Sequence, residues 1–208
     1  FILPLLLLVV SASALTLMIW GTYLTLLHFK KVPPYLDAPY ALYPVSILKP
    51  LRGIDPGLEK NLETFFTLDY PQYELIFSVA ETSDPARLVA EKLMEKYPHI
   101  TSRMMVGDVQ AGPNPKVNNL IKSYKKARYD WLLISDSNVV VSTHYLKRLV
   151  ANLDNSVGMV TAVVAGTQPQ GLGAQLESIF LNTFYARWMV LAAWAGRPCV
   201  VGKSMLFR

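Results

Sequence analysis

Residues Tyr129 to Asn138 read YDWLLISDSN, an apolar stretch that turns polar within one residue. Leu132, Leu133 and Ile134 form a continuous run suited to a parallel strand covered on both faces. Ser135, Asp136, Ser137 and Asn138 are turn formers, so the strand ends there. Asp136 and Asn138 are thereby delivered to the carboxyl end of a buried strand, where α/β proteins hold ligands. A carboxylate at that end can hold a metal ion or a ligand hydroxyl. The same residues also suit a plain turn.

Outward from this strand, the pattern alternates. Val45–Leu48 reads as a short buried strand followed by a loop, Lys49 to Gly53. Leu58, Leu62, Phe65 and Phe66 recur at helical spacing. Tyr73–Val79 is the next strand, and Ser83-Asp84-Pro85 opens a helix whose expected inner face is Leu88, Val89, Leu93 and Tyr97. Arg103–Val106 supplies a further strand, and Val117, Leu120, Ile121 and Tyr124 mark the helix before Trp131–Ser135. After Asn138 the reading gives a helix capped by Ser142 or Thr143 and ending near Leu153, then a strand over Val157–Val164. Such alternation predicts an α/β fold: a Rossmann-like, mostly parallel sheet with helices on both faces and right-handed crossovers.

The N-terminus is of a different kind. Phe1 to Phe29 carries no charge, and Lys30 and Lys31 close the run. That is enough for the roughly 20 residues a bilayer core requires. The two lysines place the downstream chain on the cytosolic side. Ala12, Ser13 and Ala14 resemble a cleavage site, but no basic residue precedes the run, apolarity continues to Leu27, and a single cysteine, Cys199, lies beyond it. Residues 1–31 are therefore expected to be a transmembrane anchor and 32–44, with four prolines, a linker. Residues 45–208 are expected to form one α/β domain. Leu172 to Trp194 is very apolar but includes Arg187, so it is expected either to lie in the membrane interface or to pack on the sheet.

Net charge is +5, yet the basic residues are scattered. The densest group, Lys122, Lys125, Lys126 and Arg128, has the spacing of a solvated helix face, which argues against nucleic-acid binding. The phosphate cradles GxGxxG and GxxxxGK[ST] are missing from the sequence, and His28, His99 and His144 are too isolated to suggest a zinc site. Three polar groups fall at the carboxyl ends of expected strands: Lys49 with Arg52, Glu81 with Asp84, and Asp136 with Asn138. Asp84 before Pro85 also suits an N-cap, and the segment Gly112 to Asn119 opens a helix where backbone N–H groups and Lys116 could face an anion. A sugar nucleotide, with a divalent cation, and a lipid acceptor presented at a membrane fit this set.

Several clustered motifs then carry a resemblance. SILKPLRGIDPGLEKNLETFFTLDYPQYEL, SDPA, GPNPKVNNL, the DSN strand end and QGLGAQLE, in this order over Val45 to Arg208, are similar to the ceramide glucosyltransferase family of GT-A glycosyltransferases and to hopanoid-type relatives. The resemblance implies an N-terminal anchor, a GT-A domain on the cytosolic face of a membrane, a UDP-sugar donor, typically UDP-glucose, and a lipid acceptor. It assigns Asp84 and Asp136 to the donor nucleotide, and places Lys116 and Asn118 in the family's Asn-Pro-Lys segment. Lys49 and Glu81 join them as candidate donor-binding residues. Asp136 and Asn138 are the candidate metal ligands. Asn138 stands where GT-A enzymes have a second aspartate, and its amide oxygen can still coordinate Mg²⁺ or Mn²⁺. The family's catalytic base and its Gln-x-x-Arg-x-Trp motif would fall after Arg208, so residues 1–208 are not expected to catalyse transfer by themselves. A glycosyltransferase acting on another lipid such as a hopanoid, a processive polysaccharide synthase and a catalytically silent, membrane-tethered binding protein are the alternatives.

Overall fold

The structure is a computed structural model describing residues 2–30, 42–107, 109–154 and 156–208. Most of the expected 32–44 linker, like Phe1 and Lys31, lies outside the described residues. The rest divides by contacts into two units. One takes in the N-terminal helix and Val163–Val200, and the other runs to Ala162 and resumes at Val201–Arg208.

The second unit holds a six-stranded sheet of order β3-β2-β1-β4-β6-β5. Its strands are β1 (Val45–Pro50), β2 (Tyr73–Val79), β3 (Ser102–Val106), β4 (Trp131–Ser135), β5 (Met159–Thr161) and β6 (Ser204–Phe207). β1 pairs in parallel with β2 and β4, and β2 with β3, whereas β6 runs antiparallel to β4 and β5. The sheet is thus mixed, with a parallel body and an antiparallel margin. β2 and β4 coincide with their expected bounds. β5 is shorter than expected, and β6, only four residues long, gave too brief an alternation to be read from sequence.

Val45, Ile47, Leu75, Phe77, Leu133 and Leu206 are packed in the main core with Leu62 and Phe65 of α2 (Leu58–Phe66) and Leu146 of α5 (Tyr145–Val150). Phe66 stacks on Phe77 and on Tyr97 at ring separations of 5.8 and 5.3 Å. On the alternate strand positions, Ser46, Glu74 and Ser78 are buried polar residues.

α3 (Pro85–Lys96) turns its expected face inward at Leu93, with Val89 and Tyr97 packed against the core, and departs from it at Leu88, which is 70% exposed. One helix face differs from its expected orientation. α4 (Pro115–Tyr124) buries Asn118, Asn119, Lys122 and Ser123 and leaves Val117 and Tyr124 46% and 57% exposed. The cause is the surface that α4 meets. Asn119 Nδ2 donates to the carbonyls of Leu51 and Ser78 at 3.2 and 2.9 Å. Lys122 Nζ donates to Val79 O at 2.5 Å and to Gly107 O. Strand-end carbonyls taken out of water require donors, so the polar face turns inward. Lys122 therefore does not belong to a solvated basic face.

The first unit contains α1 (Ile2–Lys30), α6 (Gly171–Phe180), a π turn (Leu181–Tyr185) and α7 (Ala186–Trp194). Among the described residues α1 is the one helix long and apolar enough to cross a membrane, with a mean hydropathy of 2.5. α7 packs on it: Leu191 meets Gly21, Arg187 Nη1 donates to Thr22 Oγ1 at 3.3 Å, and Trp194 meets Trp20 edge-on at 6.2 Å. The apolar stretch from Leu172 to Trp194 is thereby grouped with α1.

Candidate active site

Parallel pairing puts the carboxyl ends of β2, β1 and β4 side by side on one rim. The chain from β1 proceeds to β2 on one side, while β4 lies on the other, which makes the β1–β4 junction the topological switch point. The loops after these strands are tied together. The N–H of Gly53, after β1, donates to Asp84 Oδ1 and Oδ2 at 3.0 and 3.1 Å. Gly53 has φ +65°, a conformation that costs glycine little. Asp84 Oδ1 also accepts from Ala86 N at 2.9 Å as the N-cap of α3. On the other side, Ser137 Oγ donates to Asp55 Oδ2. The β1 loop is therefore fastened both to the end of β2 and to the end of β4.

Lys49 lies in β1 rather than in a loop, and it is fully buried. Its Nζ donates to Asp136 O at 2.6 Å and to Ser135 Oγ at 3.3 Å, and it sits 3.7 Å from the centre of the Phe65 ring. Burial pushes its ammonium well below the usual lysine range, and the Asp136 charge pulls it partly back. Lys49 braces the end of β4 from beneath the rim.

Asp136 itself faces the rim, with 25% of its side chain exposed. Its Oδ1 is shielded from water, and the Lys116 ammonium is the charge paired with it. Lys116 reaches it from the first turn of α4, where Asn114 caps the helix by accepting from Lys116 N and Val117 N at 3.0 and 3.4 Å. Lys116 Nζ also donates to Gly202 O at 3.3 Å. Asn118 is turned into its own loop, accepting from Ala111 N and Gly112 N and donating to Gly112 O. Glu81 is exposed beside Ser83, and Arg52 and Asn138 are exposed as well. Val139 N donates to Asp136 O at 3.4 Å, so the turn geometry and an available carboxylate coexist at this strand end.

The structure thus gathers Asp84, Lys116 and Asp136 on one rim, with Asp84, Lys49 and Asn118 spent on internal contacts. Among the described residues there is no group of three or more His, Cys, Asp or Glu side chains able to hold a metal. Asp136 and Asn138 stand two residues apart on this turn and carry oxygen donors of the kind a divalent cation takes. Sequence reasoning missed Asn119 and Lys122, which hold the rim from below. The available signal was Asn118-Asn119 inside a helix, where asparagine is a poor helix former and needs a reason to be present.

A parallel sheet with an antiparallel margin is the arrangement found in the GT-A glycosyltransferase fold, which the likeness to a solved structure assigns to this chain. The mannosyltransferase PcManGT from Pyrobaculum calidifontis, solved in complex with GDP-Man and Mn²⁺, matches 94% of this chain and 55% of its own, with a TM-score of 0.61 and 18% identity. The family profile "Glycosyl transferase family 21" matches residues 6–208, and the chain belongs to that family. A ceramide glucosyltransferase of Komagataella phaffii is 38% identical over 201 residues, covering 85% of this chain and 38% of that protein. Ceramide glucosyltransferase 1 of Caenorhabditis elegans is 33% identical over 166 residues, covering 79% and 36%. The chain spans between a third and two fifths of the length of these two relatives.

Proposed function

We propose that the protein transfers a hexose, glucose from UDP-glucose, to the primary hydroxyl of a ceramide-like membrane lipid. The observation that carries this reading is the Asp136 carboxylate at the switch point, partly exposed on the rim and paired through Oδ1 with the Lys116 ammonium, in a family 21 chain. The lipid hydroxyl oxygen attacks the anomeric carbon, the bond from that carbon to the diphosphate breaks, and the hydroxyl proton passes to a general base. Asp136 and Asn138 would hold a divalent cation, Mg²⁺ or Mn²⁺, which when bound offsets charge on the departing diphosphate. Lys116, already at Asp136, would add its positive charge beside the same phosphates. Asp84 keeps the β1 loop and the start of α3 in place around the nucleotide. The charge at Lys30, closing α1, supports a cytosolic face for the sheet unit.

The test uses the full-length protein with labelled UDP-glucose and ceramide. Asp136→Asn should lower turnover on the order of 10²-fold or more, the scale of losing one preorganised electrostatic group, with the far-ultraviolet circular dichroism unchanged. Turnover retained in a folded Asp136→Asn protein removes Asp136 from the site. Transfer to another acceptor in place of ceramide corrects the substrate.

A further inference from the structure

The segment from α6 to α7 carries an exposed apolar stripe. Leu172, Leu176, Phe180, Phe184 and Trp188 succeed one another at intervals of four and are each 43–73% exposed. Phe180 stacks on Phe184 at 5.0 Å, and Phe184 meets Trp188 at 5.6 Å, so the rings form a continuous ladder. In an uninterrupted α-helix a spacing of four drifts around the axis, because a turn takes 3.6 residues. The π turn over Leu181–Tyr185 closes i→i+5 bonds and takes more residues per revolution, which rotates the ladder back into line. Asn182, within that turn, is consumed by the Gly166 backbone, accepting from its N–H at 2.8 Å and donating to its carbonyl at 2.9 Å. A Cβ on Gly166 would lie 2.8 Å from Ser178 Cα, so only glycine allows this approach.

The depth of the segment is set by its contacts with α1. Towards Lys30, where the uncharged run of α1 closes, the helix carries Trp20 and Tyr23, the residue types that mark a membrane–water boundary. At this level α7 docks, through Leu191 on Gly21, Arg187 on Thr22 and Trp194 on Trp20. Arg187 is therefore held where its guanidinium reaches headgroups, and avoids the cost of about 3 kcal/mol or more at a bilayer centre.

We infer that Gly171–Trp194 lies in the plane of the membrane interface at the Lys30 end of α1, with the ladder from Leu172 to Trp188 sunk among acyl chains. The inference rests on α1 being a membrane span, as the proposed function also assumes. It assigns lipid, in place of protein, as the partner of the ladder. In-plane binding of this kind scales with the apolar area buried and is anchored by interfacial aromatics.

The experiment labels single cysteines in the full-length protein, with Cys199 and every other native cysteine replaced by serine, using an environment-sensitive fluorophore in phosphatidylcholine bilayers. Phe184→Cys and Leu176→Cys report the ladder, Leu8→Cys reports α1, and Leu88→Cys reports a water-exposed helix of the sheet unit. Labels at both ladder positions should be quenched by acyl-chain spin labels and protected from iodide, and the Leu88→Cys label should show the reverse. Iodide quenching at the ladder, or quenching by neither agent, overturns the inference. If the Leu8→Cys label is lipid-quenched in the same preparation, only the inference falls; if it is not, the membrane span falls too.

Discussion

Lys49 shows how much a single side chain can be committed to architecture at a ligand rim. Its ammonium is dry, stacked on Phe65 and bonded to Asp136 O, so the carboxylate of Asp136 is presented from a strand end that cannot slide. The sign of its titration is fixed by burial. The folded-state pKa lies below the usual 10.5, so between the two values the unfolded chain binds more protons and stability rises with pH. That gain is complete above the unfolded value and is lost as pH falls through the folded one. Lys49→Met should abolish this rise and, by leaving Asp136 O with only the long 3.4 Å bond from Val139 N, cost about 1–3 kcal/mol at neutral pH. Thermal unfolding of wild type and variant, from about pH 8 to about pH 10.5, reads both effects. Parallel slopes in the two proteins would show that Lys49 is not dehydrated.

At the scale of an element, α4 is a helix whose apolar residues misstate its orientation. Val117 and Tyr124 point outward because the sheet offers α4 the carbonyls of Leu51, Ser78, Val79 and Gly107. Lys122→Met should therefore destabilise by roughly 3 kcal/mol, the cost of stranding buried carbonyls. Val117→Ala should stay within about 0.5 kcal/mol, as for an ordinary surface position. Chemical denaturation of the pair decides the orientation of the helix: a larger loss for Val117→Ala would mean that its apolar stripe faces the sheet after all.

In the whole sheet, polar ties hold both ends. At the carboxyl rim Asn119 and Lys122 pair the strand-end carbonyls. At the other end Glu74, fully buried in β2, accepts from Ser46 Oγ at 2.6 Å and from Arg128 N at 2.7 Å and is ion-paired to Arg103. One carboxylate thereby joins β1, β2, β3 and the chain entering β4. Glu74→Gln keeps the shape and removes the charge, and should cost on the order of 3 kcal/mol. The unfolding midpoint should drop while the donor affinity of the remaining folded protein is unchanged. An unaltered midpoint would mean that Arg103 contributes nothing through this pair.

Much of this was legible in local chemistry. Apolar-rich runs bounded by turn residues marked β2 and β4, Asp84-Pro85 and Asn114-Pro115 marked two helix starts, and the uncharged run to Phe29 marked a helix of spanning length, because strand burial, capping and hydropathy each depend on near neighbours in the chain. Other features required distant partners. The buried face of α4, the dehydration of Lys49, the pairing of Lys116 with Asp136 and the insertion of β6 beside β4 join residues tens of positions apart, and periodicity carries no information about them. A helix turns its polar face inward only when another element presents unpaired carbonyls there, and that demand exists only once the chain has folded.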